Sequence, residues 1–385
     1  MTDSPTKAAN PMPKSKGRRP GRTRGPSTAP TETSGTPRPP ELDEAPRRVF
    51  RAHITHLCEL ALGAEAVEFE FPGGSRRDSC RIGFADGRKV IATVRDEPER
   101  AELERRVLDA LAPYDAPAPA VIAANRRTLI QEDRGSQRLS VALHRADSGE
   151  AETLLRKAAV SLVQLQRAGR QAGLHENVPL LGFASGWIET LIDRPVALGS
   201  LLGLRPPRPE VEDMLDLLAV LDPTFIKWDA RPANAVLNDG GDLSWIDFEH
   251  CGARNPLDDL VWLMADEYTP FDPKRDGVMV EELLPQFGSS LPPAMAHHYF
   301  WVMSTLHGTH RLNLIIDSQQ EEDGRGWRNP ERCVERDSVG VTLHHAMRQC
   351  DRLIHHSAQS SLTESLSPFY RKCKAAIAGL KAPSR

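Results

Sequence analysis

Three polar side chains, Asp229, Asn234 and Asp247, lie among apolar neighbours between residues 226 and 249. Carboxylate and amide oxygens in such a setting are candidate ligands of a cation and candidate acceptors of a hydrogen bond from a reacting hydroxyl group. Phosphoryl transfer from ATP requires both, because a carboxylate orients the acceptor hydroxyl while oxygen ligands hold Mg²⁺ against the phosphates. The stretch therefore predicts a phosphoryl-transfer site.

The spacing of these residues matches the pattern that kinases use for this chemistry. Four residues separate Asp229 from Asn234, and Asp247 begins an Asp-Phe-Glu run that matches the metal-binding Asp-Phe-Gly run, apart from Glu249 in the glycine position. Two short apolar runs flank residues 238–242, which carry a hairpin signal. A hairpin would bring Asn234 and Asp247 side by side, close enough to share a metal ion.

The stretch resembles the aminoglycoside phosphotransferase and choline kinase-like group of small-molecule kinases. The resemblance covers residues 67–268, and the last third of the chain only by its helical character. It implies an α+β, bilobal protein-kinase-like fold, with a small antiparallel sheet lobe and a mostly helical lobe. It also implies that Asp229 is the catalytic base, that Asn234 and Asp247 are Mg²⁺ ligands, and that Asp259 braces the catalytic loop. The alternative, a hairpin whose Asp and Asn residues only cap turns, does not explain the paired spacing.

A glycine-containing turn between two predicted strands is the first candidate for nucleotide binding. Glycine lets backbone N–H groups approach phosphates closely, and in the family that this chain resembles a comparable turn lies over the nucleotide. The candidates in this turn are Gly74, Ser75 and Arg76. An ordinary hairpin turn is the alternative interpretation.

The third predicted strand, 89–95, ends at Arg95, where kinases of this fold place a lysine that holds the α- and β-phosphates and pairs with a helical glutamate. Its predicted partner is Glu104, on a helix that the apolar spacing over 101–111 indicates. Lys89 lies on the same face of the strand by two-residue alternation and is the alternative phosphate contact. The planar fork of arginine does not reproduce an ammonium group, so this departure from the family leaves open a protein that binds nucleotide without transferring phosphate.

Two cations flank Asp229 in the predicted catalytic loop. Lys227 stands where family members usually carry a histidine, and a cation there would lower the pKa of Asp229. Arg231 stands where protein kinases often place a lysine directed at the γ-phosphate, and we predict that it stabilises charge on the transferred group. A strand at 127–131 would lead into the hinge between the lobes, where the resemblance implies that Glu132 to Gly135 border the adenine.

Length and composition support a two-lobed globular protein. The chain has 385 residues, of which 39% are hydrophobic and 26% charged, and it exceeds the usual size of one domain. No apolar run approaches the ~20 residues needed to cross a bilayer, and the sequence shows no signal-peptide pattern. We therefore expect a cytoplasmic protein that does not contact membranes. The six cysteines are scattered and are expected to be reduced.

We expect three regions: a disordered basic arm over 1–46, a nucleotide-binding sheet lobe over 47–133, and a helical lobe with the acceptor pocket over 134–385. Seven basic residues of the arm fall between Lys7 and Arg24. The composition favours a solvated extension, and contact with nucleic acid is the alternative. The last third of the chain contains several histidines, and His307 and His310 are three residues apart, a spacing that a metal site could use. Ordinary surface or core positions are the favoured interpretation of these histidines.

Together these features predict an enzyme that uses ATP and Mg²⁺ to phosphorylate a hydroxyl group of a small molecule. The first alternative is a pseudokinase-type nucleotide-binding or scaffold protein, which the altered residues at 95 and 227 favour. The second alternative is a nucleic-acid-associated regulator that works through the basic arm. Aminoglycoside, choline, thiamine and homoserine kinases resemble one another around Asp229, so the sequence does not select an acceptor.

Overall fold

The structure is a computed structural model that describes residues 44–72, 79–208, 211–321 and 327–380. Two of the sequence predictions concern residues outside these ranges. The predicted turn with Gly74, Ser75 and Arg76 lies outside the described residues, as do residues 1–43 of the predicted arm. The last three residues of that arm, 44–46, belong to the first helix.

The first lobe is a five-stranded antiparallel sheet with the strand order β1-β2-β3-β5-β4, as predicted. Helix α1 precedes the sheet and helix α2 follows β3. Their bounds are α1 Glu44–Leu62, β1 Ala66–Glu70, β2 Ser79–Phe84, β3 Lys89–Val94, α2 Pro98–Leu111, β4 Val121–Ala124 and β5 Thr128–Glu132.

Alternation along β3 gives the sheet one face for the core and one for the cleft below it. Val90 and Ala92 are fully buried in a cluster with Ile54 and Cys58 of α1, because every second side chain of a strand points to the same face. The intervening side chains, Ile91 and those at positions 93 and 95, line a cleft between the lobes. The apolar side chains of β3 that pack on α1 close one face of the sheet, so a ligand can bind only at the other face.

The second lobe is mostly helical and carries two small sheets. The helices are α3 Leu139–Arg145, α4 Ser148–Gln171, α5 Trp187–Ile192, α6 Arg194–Leu202, α7 Val211–Leu218, α8 Leu257–Ala265, α9 Pro273–Leu283, α10 Pro293–Glu321, α11 Pro330–Arg336, α12 Leu343–Ser357 and α13 Ser367–Ala378. The strands are β6 Gln137–Arg138, β7 Thr224–Ile226, β8 Ala235–Leu237, β9 Leu243–Trp245 and β10 Gly252–Arg254. The α+β bilobal architecture that the sequence predicted is confirmed.

The predicted hairpin is present as β8 and β9, which pair antiparallel with Ala235 opposite Trp245. The amide of Asp242 donates to Asn238 Oδ1 at 2.8 Å and closes the turn. Beyond the strands, the amide of Ile246 donates to the carbonyl oxygen of Asn234 at 2.9 Å. This last bond sets Asn234 next to the residue that precedes Asp247, as the sequence indicated.

Helix α4 supports the strand that leads into the catalytic loop. A Cβ at Gly169 of α4 would collide with the ring of Phe225 on β7, so the glycine allows the two elements to pack closely. The β7–β10 pair was not predicted, because its three-residue strands are too short to show alternation. Within the described ranges, no helix is long and apolar enough to cross a membrane.

Candidate active site

The loop that carries Asp229 has an unusual backbone. Trp228 and Asp229 have φ angles of 49° and 43°, in a region that residues with side chains seldom adopt. The Asp259 carboxylate on α8 accepts hydrogen bonds from the amides of Lys227 at 2.9 Å and Trp228 at 2.8 Å. Gln166 of α4 donates to the same carboxylate at 2.8 Å. Asp259 therefore braces the loop from two elements of the helical lobe.

The carboxylate of Asp229 is close to Asn234. Asn234 Nδ2 donates to Asp229 Oδ2 at 2.7 Å and to its carbonyl oxygen at 3.0 Å. Burial raises the pKa of Asp229, while Arg231 and Lys227 oppose the rise. The influence of Lys227 thus has the predicted direction, although the net shift is upward. Asp229 lines the cleft, and Asn234 engages only its Oδ2.

Asp247 is a strongly acidic carboxylate of the cleft. It has a φ of 66°, and Lys227 Nζ donates to its carbonyl oxygen at 2.5 Å. Burial alone would raise the pKa of Asp247, but Arg95 and Lys227 outweigh burial and lower it to about 2. The carboxylate is therefore ionised at neutral pH, as a cation ligand must be.

Arg95 follows β3 and joins the two lobes. Its guanidinium donates to Glu104 on α2 at 2.8 and 2.5 Å, to Asp247 Oδ1 at 2.7 Å and to Glu249 Oε1 at 3.0 Å. The predicted Arg95–Glu104 pair is thus present in the described geometry. Lys89, the alternative phosphate contact, is the first residue of β3 and lies about 20 Å from Arg95 along the strand. Its Nζ is 3.6 Å from Oε2 of the half-exposed Glu68. It does not line the cleft.

The donor set fits Mg²⁺ held jointly with a phosphate. Asn234 donates through its nitrogen and so presents Oδ1, while Asp247 Oδ2 is not used by Arg95. Within the described residues, no group of three or more His, Cys, Asp or Glu residues could hold a metal by itself. Mg²⁺ commonly takes one or two protein oxygens and completes its shell with water and substrate phosphates. The pair fits that mode of binding, with the phosphates supplied by a nucleotide.

The cleft between the lobes has a volume of about 530 Å³. Asp229, Asn234 and Asp247 line it, and so does the hinge from Glu132 to Ser136. The Glu132 carboxylate accepts a hydrogen bond from the amide of Ala120 at 3.2 Å. The cleft thus brings together Asp229, the two metal-ligand candidates and the hinge that the sequence suggested.

Arg231 lies elsewhere. Its Nε donates to Asp266 Oδ2 at 2.7 Å, and its Nη2 is 3.6 Å from Glu267 Oε1. Both carboxylates are fully buried, and Arg231 is not among the residues that line the cleft. Its position differs from the prediction that it is directed at the transferred phosphoryl group, because two buried anions hold its guanidinium.

The sequence did not identify some residues of the cleft. Arg81 on β2 reaches the hinge residue Asp133, with Nε 2.6 Å from Oδ2. Gln131 on β5 approaches Glu104 Oε1 at 3.4 Å. The sequence showed Arg81 only as a basic residue in the middle of a strand, on the same face of the strand as Ser79. Its partners in the hinge, Asp133 and Gly135, lie more than fifty residues later in the chain, so this signal indicated no particular contact.

Two histidines of the helical lobe, His307 and His310, are core residues. His307 packs on Trp262 with ring centroids 4.1 Å apart, and burial lowers the pKa of His307 and of His310 well below the usual range. Two neutral imidazoles inside a helical core account for these positions without a ligand.

The chain is similar to known proteins in both sequence and structure. The model of the family described as "Phosphotransferase enzyme family" matches residues 70–297. No curated protein sequence matches the chain. The choline kinase LicA from Streptococcus pneumoniae has 15% sequence identity and a TM-score of 0.44, over 76% of this chain and 96% of LicA. The macrolide 2'-phosphotransferase MphH from Brachybacterium faecium has 14% identity and a TM-score of 0.49, over 74% of this chain and 97% of MphH.

Proposed function

Because this chain belongs to the phosphotransferase enzyme family, whose model matches residues 70–297, we propose that it transfers the γ-phosphoryl group of ATP to a hydroxyl group of a small molecule. The observation that carries the proposal is that Asp229, Asn234 and Asp247 line the same cleft as the hinge residues 132–136. A nucleotide lying along this cleft would place its phosphates next to the two metal-ligand candidates. Their chemistry supports ATP as cosubstrate and Mg²⁺ as cofactor.

Asp229 orients the acceptor. Its Oδ2 is occupied by Asn234 at 2.7 Å, so Oδ1 is left to accept a hydrogen bond from the acceptor hydroxyl and to aim that oxygen at the γ-phosphorus. The raised pKa of this buried carboxylate brings its basicity closer to that needed to receive the hydroxyl proton as the new P–O bond forms. The bond that breaks joins the γ-phosphorus to the bridging oxygen, and ADP leaves.

Asn234 Oδ1 and Asp247 Oδ2 would hold Mg²⁺, which when bound neutralises charge on the β- and γ-phosphates. Arg95 supplies a fixed cation beside the same phosphates. Its three carboxylate partners orient its guanidinium before the nucleotide arrives, so little reorganisation is needed at the moment of transfer. Glu104, buried on α2, ties this cation to the position of the helix.

The experiment is ADP release from ATP and Mg²⁺ with pooled amino sugars, amino alcohols and vitamins as acceptors. Wild type is compared with Asp229→Asn and with Asp239→Asn, a control in the exposed turn of the same hairpin. Release that depends on an acceptor pool, survives in the control and disappears in Asp229→Asn supports the proposal, and dividing the pool identifies the acceptor. Acceptor-dependent release that persists in Asp229→Asn contradicts the assigned role of Asp229.

A protein that binds nucleotide without transferring phosphate is the second candidate, and one observation favours it. Arg95 already occupies one carboxylate oxygen of Asp247 at 2.7 Å, which competes with metal binding. This candidate predicts that ATP binds with the same affinity with and without Mg²⁺, and that no acceptor pool elicits ADP release. Stronger binding of ATP in the presence of Mg²⁺ would argue for the phosphotransferase.

A further inference from the structure

The hinge end of the cleft contains a guanidinium that the phosphoryl-transfer mechanism does not use. Arg81 on β2 is about nine-tenths buried. Its Nε and Nη2 donate to the two carboxylate oxygens of Asp133 at 2.6 and 3.0 Å, and Nη2 also donates to the carbonyl oxygen of Gly135 at 2.8 Å. On the other side, Nη1 donates to Glu70 of β1 at 3.1 Å.

The course of this side chain follows from the order of the strands. β3 lies between β2 and β5 in the sheet, and Asp133 directly follows β5. The Arg81 side chain must therefore cross β3 to reach the hinge, and it does so on the cleft face, since it lines the cleft together with Ile91 and Thr93. Its guanidinium forms part of the roof of the cleft.

The roof at this point lies where a nucleobase would be. Arg81 is the register partner of Ile91, which is four residues, or about 13 Å, from Arg95 along the strand. Val236 and Ile246 of the helical lobe line the same cleft and offer an apolar floor. With the phosphates held near Arg95 and Asp247, the base of the nucleotide would reach the slot between this floor and the guanidinium.

The bonding pattern of Arg81 decides what it can offer to a base. All N–H donors of a guanidinium lie in its plane, and each of its three nitrogens already donates to a protein oxygen. Four of the five N–H donors are therefore engaged, and a base in the slot would meet the group mainly through its flat face. Guanidinium planes stack on nucleobases, and a plane held at both sides loses little further freedom when a ligand binds.

We propose that Arg81 is the nucleobase-stacking residue of the cleft and that it makes the protein prefer purine to pyrimidine nucleotides. The inference rests on the proposed function insofar as a nucleotide occupies the cleft. A purine covers more of the guanidinium face than a pyrimidine does, so the preference follows ring area. Because stacking does not read the hydrogen-bonding edge, Arg81 contributes equally to the binding of ATP and GTP.

The test uses calorimetric titration of wild type, Arg81→Ala and Arg81→Lys with ATP, GTP, CTP and inorganic tripolyphosphate, each with Mg²⁺. Tripolyphosphate carries the phosphates without a base. We expect Arg81→Ala to bind ATP and GTP about tenfold more weakly, which corresponds to about 1.4 kcal/mol, to bind CTP only a few-fold more weakly, and to bind tripolyphosphate as wild type does. Arg81→Lys should behave like Arg81→Ala, because an ammonium group has no flat face.

Two further variants control for the fold. Arg88→Ala removes an exposed arginine of the same lobe, whose guanidinium pairs with Asp86, and should leave all four affinities unchanged. Arg81→Ala combined with Asp133→Asn removes the carboxylate charge that the single variant leaves unpaired, and should show the same selective loss for purine nucleotides.

The outcomes separate this inference from the proposed function. Failure of wild type to bind any nucleotide overturns both. If wild type binds ATP but Arg81→Ala binds tripolyphosphate and ATP with equally reduced affinity, Arg81 acts on the phosphates or on the fold, and the inference alone is overturned. An increase in ATP affinity in Arg81→Ala also overturns it, since Arg81 would then obstruct the slot.

Discussion

Arg95 Nη2 lies 2.7 Å from Asp247 Oδ1, so a cation of the sheet lobe contacts a carboxylate of the helical lobe across the cleft. The same guanidinium contacts Glu104 and Glu249. One cation thus contacts three carboxylates, of which Glu104 is almost fully buried. The contact therefore ties the sheet lobe to the helical lobe at the charged site.

Replacing Arg95 tests this arrangement. Arg95→Ala leaves buried Glu104 without its cation, and breaking a buried pair in this way costs about 3–5 kcal/mol of unfolding free energy. We also expect ATP affinity to fall at least tenfold. Arg95→Lys should lose less stability, because one ammonium group can still contact Glu104, though not all three carboxylates. Urea denaturation and ATP titration measure the two effects, and an Arg95→Ala protein with wild-type stability would contradict the role of the pair.

Asp259 should affect turnover more than nucleotide binding. Asp259→Ala removes the acceptor of two loop amides and of Gln166, and each buried donor left unsatisfied costs about 1–3 kcal/mol. The loop would relax from its left-handed backbone, which displaces Asp229. We expect a fall in kcat of at least tenfold with little change in ATP affinity. Asp259→Asn keeps one oxygen acceptor and should be intermediate, and equal losses of kcat in the two variants would argue against bracing by both oxygens.

Arg231→Ala distinguishes a structural from a catalytic role for this residue. Its partners Asp266 and Glu267 are fully buried, so removal of the cation should lower the unfolding free energy by about 3 kcal/mol. Arg156→Ala, which breaks a more exposed pair with Glu282, should cost no more than about 1 kcal/mol. Turnover is then compared at a temperature where both variants are folded. Full turnover in Arg231→Ala would rule out the predicted action of Arg231 on the phosphoryl group.

Stability should fall on acidification because of His345. Burial is the main cause that lowers the pKa of His345 to about 3. The nearby Arg348 and His344 lower it further, while Glu267 opposes the shift. Since the unfolded chain binds this proton near pH 6.5 and the folded chain does not, the stabilisation is present above pH 6.5 and is lost as pH falls below it. At one pH unit below 6.5, the unfolding free energy is lower by about 1.4 kcal/mol because of this group.

The measurement is the unfolding free energy at pH 7.5 and 5.5 for wild type, His345→Gln and His56→Gln, a surface control. We expect the loss on acidification to be about 1 kcal/mol smaller in His345→Gln than in wild type and unchanged in the control. An identical loss in all three proteins would show that His345 accepts a proton without unfolding.

The part of the site that the sequence revealed is local. Asn234 and Asp247 meet because one hairpin separates them, and both its turn residues and its apolar runs are visible in the sequence. Arg95 and Glu104 are nine residues apart, on a strand and the helix that follows it. Turn chemistry was therefore sufficient for the first contact, while the second followed from the resemblance to kinases, with periodicity placing the strand and the helix that carry it.

What the sequence did not reveal depends on the order in which distant elements pack. The contact between Arg81 and Asp133 spans 52 positions and exists only because β3 lies between β2 and β5. The contact between Arg231 and Asp266 spans 35 positions, and neither residue carries a local signal of the other. Side-chain charge indicated that these residues need partners, but only the packed fold selects them.

The left-handed backbone at Trp228 and Asp229 also determines when the site can form during synthesis. Such a conformation costs of the order of 1–3 kcal/mol per residue and persists only when the surroundings enforce it. Here the enforcing carboxylate lies 31 and 32 positions further along the chain than the amides that it holds. A nascent chain that has left the ribosome only as far as residue 250 carries all three polar residues at the correct spacing and still lacks an organised loop, so catalytic competence must await the docking of α8.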